Sequence, residues 1–111
     1  MHDEEEAVTS PDIMRPLVRR SLRRSSVRKK IAEYLFDISP NGSYTSEIAY
    51  NIKTSPTNVI GAIRGMNSRY GADESLIGLN LVEQVDTSRN YKVYKLTDFG
   101  KEIIESMKNR R

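Results

Sequence analysis

Asn58 and Arg64 are the side chains in this sequence best suited to two-pronged hydrogen bonding with a flat partner. An asparagine amide matches the adenine edge in a DNA major groove, and an arginine fork matches guanine. Thr57, Gly61 and Ser68 share their face if the segment from Pro56 to about Tyr70 is a helix. Threonine there suits a phosphate or a thymine methyl. Thr45, Ser46 and Ser55 stand where helices would begin, so they can cap the helix and hold a phosphate on free backbone N–H groups. Farther on, Arg89 and Lys92 put positive charge near the tip of an expected hairpin, with Lys95 along its strand. Arg19, Arg20, Arg23 and Arg24 belong to a block from Arg15 to Lys30 that holds no acidic residue. Such blocks commonly contact nucleic acid or another anionic surface.

No catalytic constellation competes with this chemistry. Cysteine is absent, and the one histidine, His2, lies in an acidic stretch with Asp3, Glu4, Glu5, Glu6 and Asp12. The pair Asp73-Glu74 has no histidine or cysteine near it in sequence. We therefore expect no catalytic residue, no metal site and no cofactor. No apolar run approaches the roughly 18 residues of a membrane helix, and the acidic start does not read as a secretion signal. A cytoplasmic protein is expected.

The elements that would hold these residues follow from periodicity. The chain has 111 residues, enough for one domain with tails. Residues 1–11 lack apolar periodicity and are expected to be a disordered acidic tail. Residues 12–24 read as a basic amphipathic helix with the stripe Ile13, Leu17, Val18 and Leu22, which must pack on the domain or on a second copy of itself. Because it lies outside the segment that completes the domain core, we expect it to be left unpaired there and to serve dimerisation. Ser25 and Ser26 supply a cap for the next helix, whose core stripe is Val27, Ile31, Tyr34, Leu35 and Ile38. After the turn at Ser39-Pro40-Asn41-Gly42, Ser43-Tyr44 reads as a short strand and Thr45 as the cap of a helix to Ile52. Lys53-Thr54-Ser55 then turns the chain, and Pro56 opens a helix expected over 56–70 with Val59, Ala62, Ile63 and Met66 inward. Leu76, Ile77 and Leu79 predict a partly buried connection over Gly71–Asn80. A β-hairpin over 82–96 follows, and Thr97 caps a last helix with Phe99, Ile103, Ile104 and Met107 inward. Tyr34, Tyr44, Tyr91 and Tyr94 read as core or hairpin packing.

Helix, turn, helix and hairpin come in the order of a winged helix–turn–helix. The segment Thr45–Met66 resembles the paired helices of that family. Tyr94 to Ile104 resembles its wing strand with the Leu-Thr-x-x-Gly opening of the closing helix, here Leu96, Thr97 and Gly100. With the lead-in from Arg20 to Arg28, the chain resembles small archaeal winged helix–turn–helix DNA-binding transcriptional regulators that lack a ligand-sensing domain. The connection Gly71–Asn80 is longer than usual for that family, and the wing tip carries Arg89 with Asp86 close by.

The resemblance covers about residues 26–108 and implies a mainly α fold with a small β-hairpin (α+β), with a winged-helix domain at 25–108. It implies a homodimer that binds double-stranded DNA sequence-specifically. Helix 56–70 would read the major groove, assisted by the wing at 82–96. The expected contacts are Thr45, Ser46, Ser55, Thr57, Asn58, Gly61, Arg64, Ser68, Arg89 and Lys92, with phosphate contacts from Arg19, Arg20, Arg23 and Arg24. Two alternatives use the same fold: a non-specific RNA-binding or architectural module, and a protein-interaction winged helix of a transcription complex.

Overall fold

The computed structural model describes residues 11–65 and 74–109, with side chains from Met14 onward. In chain order its elements are α1 (Pro11–Arg24), α2 (Ser26–Ile38), β1 (Ser43–Tyr44), α3 (Thr45–Ile52), α4 (Pro56–Arg64), β2 (Val82–Asp86), β3 (Lys92–Leu96) and α5 (Asp98–Lys108). The three strands form one antiparallel sheet in the order β1-β3-β2. Tyr44 pairs with Val93, and Val82 pairs with Leu96 through to Asp86 with Lys92.

Local chemistry sets most of the boundaries. Ser25 caps α2 by accepting from the Arg28 N–H, Ser55 caps α4 by accepting from Asn58, and Thr97 caps α5 by accepting from Gly100. Thr45 does not act as a cap. It is the first residue of α3, and Tyr44, in extended conformation with no side-chain cap bond, precedes it. The reason is the β1–β3 pairing, which keeps the chain extended up to Tyr44. Ser43 donates instead to the Glu47 carboxylate at 2.7 Å. At the other end of the chain's first helix, α1 starts at Pro11 rather than Asp12, a position where a missing N–H costs nothing.

The helix that opens at Pro56 is shorter than its periodicity predicts. α4 stops at Arg64 because Gly65 leaves the helix at φ 78°, ψ 141°. A helix running continuously to Tyr70 is thereby overturned, while Met66 and Ser68 lie outside the described residues. Gly65 closes the last turn by donating to the Gly61 carbonyl at 2.8 Å, and the next two carbonyls are taken up by the returning chain, with Leu76 donating to Ala62 at 3.0 Å and Ile77 to Ile63 at 2.9 Å. This satisfies helix-end acceptors that would otherwise be buried without donors. Leu76 and Leu79 are buried and Ile77 packs on the core, as the apolar pattern of that connection predicts.

The core gathers Ile31 and Leu35 from α2, Ile48 from α3, Val59 and Ile63 from α4, Leu81 and Tyr94 around the sheet, and Ile103 and Ile104 from α5. α1 adds to this core. Val18 and Leu22 are buried in the domain itself, so the stripe of α1 is not unpaired. What remains outside is Leu17, 46% exposed. The side chain of Ile13 lies outside the described set. A polar clamp fixes α1 in place: the Ser21 hydroxyl donates to the Glu74 carbonyl at 2.8 Å, and Arg28, from α2, donates to the Ser21 carbonyl and hydroxyl.

Candidate nucleic-acid interface

The turn between α3 and α4 is built by three devices. Lys53 takes a left-handed conformation at φ 62°, ψ 54°, and Thr54 donates back to the Ala49 carbonyl at 3.0 Å. Ser55 and Pro56 then open α4. Ala49 is buried at this close helix approach. Asn58 belongs to the same construction: its amide donates to the Thr54 hydroxyl at 2.9 Å, and the residue is half-buried. That side chain therefore holds the turn against the helix rather than projecting freely.

On α4 the exposed positions are Pro56, Thr57 and Arg64, with Ile60 half-exposed between them. Gly61 is buried, which corrects its expected place on the outer face. The helix face simply lies one residue over, on Ile60, because Val59, Ala62 and Ile63 all enter the core.

This face forms one wall of a groove of about 700 Å³. Thr45 and Ser46, at the start of α3, line its end. Asn90, Tyr91 and Lys92 from the β2–β3 hairpin line it as well, together with Tyr44 and Tyr94. No acidic residue is among its lining residues. Four expected site residues, Thr45, Ser46, Arg64 and Lys92, are thus brought to one groove. Ser55 and Thr57 are exposed beside it on the first turn of α4.

The wing tip is organised by Thr87, whose hydroxyl accepts from the N–H groups of Arg89 and Tyr91 and whose N–H donates to the Tyr91 carbonyl. Asn90 takes the left-handed turn position at φ 66°. Arg89 is exposed there, whereas Lys92 stands opposite Asp86 in the strand register.

Sequence reasoning missed the aromatic part of this surface. Tyr44 and Tyr91 are 43% and 56% exposed and meet edge to face, centroids 5.6 Å apart. Only the β1–β3 pairing brings them together, and nothing in the spacing of two distant tyrosines reveals it. Tyr94, by contrast, is buried as expected, and its hydroxyl donates to Gln84.

The basic block is divided by the fold. Arg28 is buried, Arg24 pairs with Glu74 at 3.2 Å, and Arg15 pairs with Glu102 at 3.7 Å. Arg19 is half-buried, while Arg20, Arg23, Lys29 and Lys30 are exposed.

The sequence matches the profile of a family described as EarA-like over residues 18–107. The chain belongs to the EarA-like family. An uncharacterised relative, MJ0905 of Methanocaldococcus jannaschii, is 47% identical over 94 residues, covering 85% of this chain and 84% of the relative. Among solved structures, MepR of Staphylococcus aureus in its DNA complex superposes with a TM-score of 0.62 at 15% identity, covering 86% of this chain and 73% of MepR. A mutant of ZitR from Lactococcus lactis gives a TM-score of 0.52 at 17% identity, covering 72% of this chain and 49% of ZitR. The EarA-like chain thus spans about half the length of ZitR. At these identities the likeness is one of fold, and that fold is a winged helix with the α+β composition expected. Among the described residues of this EarA-like protein, no helix is long and apolar enough to cross a membrane.

Proposed function

We propose that this protein is a small archaeal-type transcriptional regulator that binds double-stranded DNA sequence-specifically in the cytoplasm. α4 enters the major groove, and the β2–β3 wing lies against the adjacent backbone. The observation that carries this reading is the groove between α4 and the wing, with Arg64 and Lys92 among its lining residues and no acid among them. The fold-level likeness to MepR, which was solved with DNA, supports it.

Within this reading Arg64 and Thr57 meet base edges. Thr45, Ser46 and Ser55 hold phosphates at helix starts, Arg89 and Lys92 contact the backbone from the wing, and Arg20 and Arg23 add sequence-independent attraction. Asn58 reads a base only by exchanging its bond to Thr54. Ser68 remains a proposed contact from the part of the chain outside the description.

The test is binding of the full chain to duplexes selected from a random DNA pool, followed across a range of salt. Arg64→Ala should cost about 1–3 kcal/mol on the selected site and relax preference at one base position. Arg20→Gln with Arg23→Gln should weaken all duplexes alike and flatten the log–log salt slope by about 1 per lost phosphate contact. Equal losses on selected and random duplexes for Arg64→Ala would make that residue a phosphate contact. An unchanged slope would point α1 away from DNA. Failure to bind any duplex at low salt would favour the protein-interaction alternative.

We also propose that the protein acts as a homodimer through α1 and α5. The exposed Leu17 and the partly buried Met14, Phe99 and Met107 are the apolar side chains that these helices leave partly open among the described residues. Symmetric pairing would set two reading helices about one turn of DNA apart, roughly 34 Å, and favour near-palindromic sites. Light scattering on the full chain should give twice the monomer mass at micromolar concentration, with Leu17→Glu shifting it toward monomer. A full-length monomer would end this proposal.

A further inference from the structure

The groove carries two kinds of surface, and a duplex reader needs only one of them to hold phosphates. Its polar and cationic lining comes from Thr45 and Ser46 at the start of α3, from Asn90, and from Arg64 and Lys92. Its apolar and aromatic lining comes from Pro56 and Ile60 on α4 and from the Tyr44–Tyr91 pair, with Tyr94. Each tyrosine keeps about half of its surface open, 43% and 56%, although the edge-to-face contact already covers part of each ring.

A helix seated in a major groove with a wing beside it must straddle the strand that separates the two grooves of B-form DNA. Along that strand anionic phosphates alternate with sugars. In deoxyribose the C2′ carbon is a methylene, so the sugar offers an apolar edge between two charges. The mixed lining of this groove, two cations beside aliphatic and aromatic carbon, fits that pattern.

We propose that the Tyr44–Tyr91 pair, with Ile60, packs on the deoxyribose of the straddled strand and makes the protein select DNA against RNA at that position. The proposal rests on the DNA-binding reading above and goes beyond it by assigning sugar selectivity to residues that read no base. In ribose a 2′-hydroxyl would be pressed against ring and aliphatic carbon, and a buried hydroxyl without a partner is costly. A platform for stacked single-stranded bases is a poorer fit. The two rings stand at 67° to one another, so they do not offer parallel faces to successive bases.

The experiment uses the full chain and the duplex recovered from a random DNA pool, with single ribonucleotides placed at each position in turn. One or two neighbouring positions are expected to lose about tenfold in affinity when the 2′-hydroxyl is present. At those positions a 2′-fluoro sugar, which keeps the ribose-like pucker but carries no hydroxyl donor, should bind within about twofold of DNA. Tyr91→Ala and, separately, Tyr44→Ala should reduce the 2′-hydroxyl loss to less than about threefold while the selected base sequence stays the same. Both rings are outside the core, and the ribonucleotide scan on the unaltered protein needs no variant at all. Equal affinity at every ribonucleotide position overturns this proposal alone. So does an equal loss for hydroxyl and fluoro sugars, which would place the effect in duplex shape. Tighter binding to the single strand than to the duplex would make the tyrosines a stacking platform and overturn it too. A protein that binds no nucleic acid overturns the underlying reading instead.

Discussion

Gly100→Ala is expected to lower the stability of the domain by about 3 kcal/mol, although alanine is the better helix former. Gly100 lies in the first turn of α5, packed against the chain where it leaves Leu81 for β2. A Cβ built at Gly100 falls 2.3 Å from the Leu81 carbonyl oxygen and 3.1 Å from Leu96 Cδ2. The first neighbour is backbone, so no side chain can turn aside to make room. That same carbonyl accepts from the Thr97 N–H at 3.0 Å, and the Thr97 hydroxyl donates to the Asn80 carbonyl at 2.7 Å. Pushing α5 away from Leu81 therefore loosens the Thr97 bonds along with the packing of Ile103 and Ile104. Against this, alanine gains only about 1 kcal/mol of intrinsic helix propensity. The sign of the change separates the two effects. Urea denaturation should show a lower midpoint at unchanged slope, and a variant more stable than the parent would mean that α5 does not dock this closely. Because small domains have roughly 5–15 kcal/mol in total, the loss should also be visible in melting temperature. Gly42→Ala makes a useful contrast. Its nearest neighbour is a side-chain methyl, Val93 Cγ1 at 2.3 Å, although the Tyr94 carbonyl follows at 3.0 Å. It should cost less.

The cap in Leu-Thr-x-x-Gly was legible because the Thr97–Gly100 bond is local, whereas the Leu81 carbonyl that excludes a side chain at Gly100 is distant in sequence. Thr97 caps the helix that follows it, as Ser25 and Ser55 cap theirs, and each cap can be read from a few neighbouring residues. The wing strands were legible for the same reason, since Val82–Asp86 and Lys92–Leu96 flank a polar turn. What could not be read depends on residues far away in sequence. Thr45 looked like a cap until the pairing of Ser43-Tyr44 with Val93 and Tyr94 extended the chain to its doorstep. α4 looked longer because apolar residues continue past Gly65, and only the returning N–H groups of Leu76 and Ile77 show how its end is satisfied. Gly61 and Asn58 sat on the expected outer face by helical arithmetic. The actual face is set by which side of α4 meets α2 and α3, and by the Thr54 hydroxyl that binds the Asn58 amide. The same limit explains α1. Of its stripe, Val18 and Leu22 are buried while Leu17 stays 46% exposed, a division that periodicity within one helix does not show.

Removing Glu74 is expected to strand a buried charge. Arg28 is 5% exposed, and its Nη1 donates to the Ser21 carbonyl at 3.0 Å and the Ser21 hydroxyl at 2.8 Å. Its one carboxylate partner among the described residues is Glu74, at 3.6 Å. The Nε of Arg28 is buried with no hydrogen-bond partner, so the guanidinium has little reserve. Glu74→Ala should therefore cost about 3 kcal/mol, the low end for a broken buried pair because the Glu74 side chain itself is 37% exposed. The exposed Arg24–Glu74 contact adds little to this. If the cost arises from the stranded charge, it should vanish when the charge is removed. In an Arg28→Met background, Glu74→Ala should cost less than about 1 kcal/mol, while Arg28→Met alone should itself cost about 1–3 kcal/mol because the Ser21 carbonyl and hydroxyl lose their buried donor. A double-mutant cycle by urea denaturation measures the difference, and additive losses would show that Glu74 acts independently of Arg28. The Ser21 hydroxyl donates to the Glu74 backbone carbonyl, which survives the substitution, and two residues later the chain donates to the last carbonyls of α4. Glu74→Ala should therefore speed amide exchange around Arg28, in α1 and the start of α2, more than at Leu76 and Ile77.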